Sequence, residues 1–133
     1  MAEFKIPAAG EICWRELAST DLPAAMDFYS KLFGWELQQT KLAPMDYKEI
    51  IMGGNAIGGM MAIDESWGEN PPPSNWNSYI AVENTDETIE KIKANGGSVM
   101  VPAFDAPGVG RMSIVAEPTG AVFAIIQFEA AHN

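Results

Sequence analysis

Carboxylates dominate the chemistry this chain could perform. Glu16 stands two residues after Trp14 in the run ICWREL, so on an extended strand the two share one face. A carboxylate among apolar neighbours holds its proton more tightly than one in water, which suits a general base. The competing reading is a carboxylate paired with arginine or turned to solvent, the commoner fate of glutamate. Glu49, in YKEIIM, is a weaker candidate of the same kind. Arg111 follows Gly108-Val109-Gly110; there it would hold a carboxylate or phosphate through its planar fork, or simply offset acidic neighbours. Cys13 is the only cysteine, and no cationic neighbour is apparent to lower its pKa, so a structural thiol is expected rather than a nucleophile. The only histidine, His132, is next to the C-terminus, where chains fray. Ser-His-Asp and Cys-His machinery and multi-histidine metal sites are therefore excluded.

Composition narrows the function classes further. The chain has 133 residues, the length of one domain, and can bury a core without disulfide or metal support. Eight Lys and Arg against 18 Asp and Glu leave a net charge of −10. Nucleic-acid binding needs basic surface to displace counterions, and anionic membranes would repel this chain. Neither nucleic acid nor membrane is an expected partner. A single thiol, no signal-peptide pattern and no long apolar run point to the cytoplasm.

The elements that must position these residues are legible. Residues 11–18 read as a strand. Ser19-Thr20-Asp21 offers N-caps, and Pro23 suits an early helical position. Ala25, Met26, Phe28, Tyr29, Leu32 and Phe33 recur at helical spacing, and Gly34 ends the helix. Strands follow at 35–42, 47–52 and 56–63. The segment 64–75, with Pro71-Pro72-Pro73, reads as a linker. The pattern then restarts: strand 76–83, a helix capped by Asn84 and carrying Ile89 and Ile92, a stop at Asn95-Gly96-Gly97, strand 98–104, loop 105–110, strand 111–116, turn 117–120 and strand 121–128.

The two halves, 11–63 and 76–128, are copies in outline. An offset of 63 places Trp14 on Asn77, Asp21 on Asn84, Met26 on Ile89 and Gly34 on Gly97. The repeat unit is βαβββ, present twice within one domain spanning 1–133. Strand alternation then sorts the faces. Cys13, Arg15 and Leu17 lie under the first helix, with Ile12, Trp14 and Glu16 opposite; Ser78, Ile80 and Val82 lie under the second, with Asn77 and Tyr79 opposite. A cleft between two such sheets would have an aromatic and partly polar lining. Trp14 and Tyr79 read either as stacking surfaces for a ligand or as core aromatics.

The run TDLPAAMDFYSKLFGW resembles the first helix of the vicinal oxygen chelate superfamily, which includes glyoxalase I, bleomycin-resistance proteins, fosfomycin-resistance proteins and extradiol dioxygenases. IAVENTDETIEKIKANGGSV and IVAEPTGAVFAIIQ resemble its second module, and IGGMM and FDAPGVGR resemble a glyoxalase-like subgroup. The resemblance covers Glu11 to Phe128. It implies an α+β fold of two βαβββ modules, an open eight-stranded barrel-like sheet around a cleft with the helices outside, and pairing into homodimers. In metal-dependent members His, Gln or Glu on the first and last strands of each module bind the ion. Those positions fall here on Trp14, Asn77, Gly59 or Met61, and Ala124, a poor donor set for a hard cation.

The expectation is a binder of a small apolar or aromatic molecule without metal or cofactor, using Trp14, Asn77, Tyr79, Met61 and Arg111. One alternative is an enzyme of the same superfamily, a lyase, isomerase or hydroxylase-like activity on a small carbonyl or aromatic substrate, with Glu16 as the candidate base or an atypical metal site. A third is a protein-interaction subunit with a vestigial cleft.

Overall fold

The computed structural model describes residues 6–40 and 47–129. The elements run β1 (Ile12–Ser19), α1 (Leu22–Phe33), β2 (Glu36–Gln39), β3 (Tyr47–Met52), β4 (Asn55–Ala62), β5 (Asn75–Ala81), α2 (Thr85–Ala94), β6 (Ser98–Ala106), β7 (Gly110–Ala116) and β8 (Val122–Phe128). The order βαβββ occurs twice in an α+β fold. Between β4 and β5 the expected linker begins with one turn of 3-10 helix, Glu65–Trp67. The strand expected at 35–42 is shorter, and its Lys41 and Leu42, like His132, lie outside the described residues. The contacts divide the chain into two units, Trp14–Asn77 and a second comprising Ser78 onward with the residues up to Cys13.

The first unit carries strands in the order β2-β3-β4-β1, with β1 and β4 parallel and the other pairs antiparallel. Its helix starts where Asp21 accepts a hydrogen bond from the Ala24 N–H at 3.1 Å, with Pro23 in the first turn. It stops at Gly34, whose φ of 71° is left-handed and whose N–H reaches the Ser30 carbonyl at 2.8 Å. Leu17, Leu22, Ile50 and Met60 form the core, with Ala25, Met26, Tyr29, Trp35 and Leu37 packed on it. The inner stripe is thus Leu22, Ala25, Met26 and Tyr29. Phe28, Leu32 and Phe33, expected in that stripe, are more than half exposed instead. Phe33 continues that stripe at the end of the helix, where it stacks with Tyr29 and meets Trp35, while Leu32 and Phe28 lie at its edge, so the apolar surface of α1 is wider than the part that is buried. Tyr29 stacks on Trp35 at 5.5 Å and meets Trp76 edge-on, with the Trp76 indole donating to the Tyr29 hydroxyl at 3.0 Å. All four tryptophans, Trp14, Trp35, Trp67 and Trp76, belong to this unit.

The second unit orders its strands β5-β8-β7-β6, with β5 and β8 parallel. Asn84 caps α2 by accepting from the Glu87 N–H at 3.0 Å, and Asp86 and Glu87 at the start and Lys91 and Lys93 at the end suit the helix dipole. Ile89, Val115 and Ile125 are its core, with Val82, Ile92, Val99 and Phe123 against them. Thr85, fully buried, takes the Gln127 side-chain oxygen on its N–H at 3.0 Å and donates its hydroxyl to the Arg111 carbonyl at 2.7 Å. The loop expected at 105–110 is shorter, because Asp105 and Ala106 pair in register with Arg111 and Gly110. In the turn after β7, the Glu117 carboxylate accepts from the Thr119 hydroxyl and from the N–H groups of Thr119 and Ala121; these bonds, the Thr119 hydroxyl first, hold its pKa below the ordinary glutamate value.

Candidate functional site

Registered pairs in a sheet point to one side, so the register shows what shares a face. In the first unit Gln38 pairs with Glu49, Glu49 with Gly59, and Gly59 with Glu16. This row alternates with the core residues Leu17, Ile50 and Met60, so it faces away from α1. Trp14, two residues before Glu16, is on the same side. So are Tyr47 and Met61, which are partners across β3 and β4, with Met61 also beside Ala18. Trp14, Glu16, Tyr47, Glu49 and Met61 are all half-buried.

Tyr47 organises this face. Its hydroxyl accepts the Trp14 indole N–H at 2.9 Å. Its ring covers Gly59, where an added Cβ would collide with the hydroxyl and ring. Sequence reasoning missed Tyr47 as a site residue. The signal was available: Tyr47 lies two residues before Glu49 on an alternating strand, and Gly59 faces that strand.

The sequence candidates do not all converge. Trp14, Met61 and the weaker candidates Glu16 and Glu49 share the face just described. Asn77 is half-buried, and its side-chain oxygen is buried without a hydrogen-bond partner, the only such atom among the described residues. Tyr79 belongs to the second unit, where only 8% of its surface is exposed beside Ala124. Arg111 lies on the opposite, helix-bearing face of that sheet. Its guanidinium is gripped by Asp86 at 2.8 Å and Asp105 at 3.2 Å. The hydrogen bond to Asp86, and then that to Asp105, raise the arginine pKa; the same Arg111 bond lowers that of Asp86. Arg111 therefore answers to the acidic-neighbour reading, because two carboxylates already occupy its fork. A pocket of about 320 Å³ beside it is rimmed by Asp105 and Glu129, which disfavours an anion there. Cys13 points its thiol at the Tyr79 carbonyl, 3.6 Å away, a weak structural contact.

A groove of about 630 Å³ opens at the start of α1, between Thr20, Leu22, Pro23, Met26, Lys48 and Ala62. Its polar groups are committed: Asp21 caps the helix and Lys48 bonds Gln39 at 2.6 Å.

Comparison with known proteins fits this geometry. The family model for the Glyoxalase/Bleomycin resistance protein/Dioxygenase superfamily matches residues 11–125. The chain belongs to that superfamily. CFP32 from Mycobacterium tuberculosis (strain CDC 1551 / Oshkosh), named as a candidate glyoxylase, is 37% identical over 116 residues, 86% of this chain and 44% of that protein. The anthracycline biosynthesis protein DnrV from Streptomyces peucetius is 30% identical, over 89% of this chain and 47% of its own length. The chain thus spans less than half the length of these relatives. Among solved structures, a hypothetical protein from Bacillus halodurans C-125 aligns with a TM-score of 0.64 at 14% identity, covering 95% of this chain and all 100% of that one. Methylmalonyl-CoA epimerase from Mycobacterium tuberculosis aligns at 0.58 and 16%, covering 95% and 91%. At such identities the likeness speaks to fold alone.

Metal-dependent members of the superfamily hold a divalent ion, and the residues here do not fit one. The Trp14 N–H is a donor, already used on Tyr47. Gly59 has no side chain, and the Tyr47 phenol takes the space one would need. Ala124 offers nothing. Among the described residues no three His, Cys, Asp or Glu side chains gather where they could hold a metal ion. No helix among them is long and apolar enough to cross a membrane.

Proposed function

We propose that this domain binds a small, flat, apolar or aromatic molecule on the face of the first module away from α1, without a metal or cofactor. One observation carries the reading: Trp14 stands half-buried on that face, its indole tied to Tyr47, on the same side of the sheet as Met61 and a row of acceptors. Ligand pockets combine aromatic surface with a few polar groups in this way. Glu16, Glu49 and Gln38 accept hydrogen bonds, and the two carboxylates disfavour an anion. The ligand therefore carries donors such as hydroxyl or amine groups. We place the protein in the cytoplasm and infer that it pairs with itself.

A thermal-shift panel of flat aromatic amines, phenols and carboxylates tests this. Amines and phenols stabilise the wild type, carboxylates do not, and Trp14→Ala abolishes the shift. An equal shift in Trp14→Ala removes the site, and one tightly bound divalent ion per purified chain removes the metal-free assignment.

Kinship with a candidate glyoxylase and the two carboxylates flanking Gly59 favour one alternative: an isomerase or lyase on a small carbonyl compound, with Glu16 or Glu49 taking the proton next to the carbonyl. In that case Glu16→Gln keeps ligand binding and loses turnover.

A further inference from the structure

Gly59 has a consequence for the aromatic residues on the two strands that flank it. In β4 the residue paired with both Glu16 and Glu49 has no side chain. The space over it is filled from β3 by the Tyr47 ring, and any Cβ at position 59 would strike the phenol. From there the hydroxyl reaches the Trp14 indole at 2.9 Å. Trp14 is half-buried, and the directed hydrogen bond to Tyr47 restricts the plane of its ring. Side-chain placement of this kind is what lowers the cost of binding a flat ligand, since less motion is lost on association.

We propose that Gly59 and Tyr47 are positioning residues that set the plane of Trp14, and that Gly59 thereby determines which ligands the face accepts. This rests on the binding role assigned to that face. The class selected is a flat ring system that can lie on the indole. A residue larger than glycine at 59 would displace the phenol and release Trp14, leaving an uneven surface better suited to small rounded molecules. The phenol fills the space where a last-strand side chain would stand, so an aromatic surface takes the place of a chelating one.

The test uses the full chain with Tyr47→Phe, Gly59→Ala and Trp14→Phe, and 1-naphthol and 9-aminoacridine as flat probes. The four tryptophans give four indole N–H resonances in a 1H–15N spectrum, and Trp14→Phe assigns one of them. Tyr47→Phe keeps the ring over Gly59 and removes only the acceptor. It moves the Trp14 resonance alone and weakens probe binding roughly three- to tenfold, the span of one hydrogen bond. Gly59→Ala moves the same resonance and weakens binding about tenfold or more, unless it fails to fold, in which case Tyr47→Phe decides. A Trp14 resonance unmoved by Tyr47→Phe overturns the positioning role. So does unchanged probe binding in Tyr47→Phe when Trp14→Phe abolishes it, an outcome that leaves the binding role standing. If neither probe binds the wild type, the binding role itself falls, and the specificity assigned to Gly59 with it.

Discussion

The two modules share an order of elements and differ in what they do with equivalent positions. In the first, the cross-strand row away from the helix is Gln38, Glu49, Gly59 and Glu16; in the second, the corresponding row is Val101, Ile114, Ala124 and Tyr79. The first has polar side chains, two of them the half-buried Glu16 and Glu49; the second is apolar and, at Ala124 and Tyr79, buried. The helices diverge in the opposite sense. Phe28 and Leu32 of α1 correspond to Lys91 and Asn95 at the end of α2, so the first module exposes apolar surface on its helix and the second does not. Both keep one helix-facing core of comparable residues. The core is what folding needs, and it is kept in both modules while the other faces differ.

That contrast can be broken most severely at Ala124. Ala124→Glu places a carboxylate in the apolar row and costs roughly 3–5 kcal/mol, whereas Glu49→Ala, in the equivalent row of the first module, stays within about 0.5 kcal/mol. Urea denaturation measures both, and equal costs would erase the distinction between the faces. A smaller effect concerns the charged edge of the second module. Asp86 and Glu117 have pKa values lowered in the folded state, so their stabilisation is present above the ordinary carboxylate range and disappears as pH falls through it. Asp86→Asn therefore flattens the acid limb of the stability–pH curve, and because the pair with Arg111 is exposed the difference shrinks in high salt. The smallest effect on stability comes from making α1 resemble α2. Phe28→Lys with Leu32→Asn changes folding by no more than about 0.5 kcal/mol, since both side chains are exposed. Sedimentation shows whether those side chains hold two copies together: a dimer that dissociates in this variant assigns the contact to α1, and an unchanged one assigns it elsewhere.

Much of this was written in the sequence. Asp21, Gly34, Asn84 and Asn95 mark the ends of both helices, because caps are local chemistry. The alternation in β1 put Leu17 on the core side and Trp14 opposite, as found. What failed was non-local. Phe28 and Leu32 satisfy helical spacing, but the width of the buried stripe depends on what packs against it, which spacing does not encode. Arg111 looked available because Asp86 and Asp105, 25 and 6 residues away, meet it only once the sheet and α2 are assembled. Tyr47 escaped notice because its role depends on what Gly59 lacks.

The confinement of every tryptophan to residues 14–76 has an experimental consequence. Indole fluorescence will follow the unfolding of the first module and be nearly blind to the second, whereas far-ultraviolet circular dichroism sees both. If the halves unfold as one, the two curves superimpose; if either melts alone, the signals part, and the duplicated chain reports its own cooperativity without added labels.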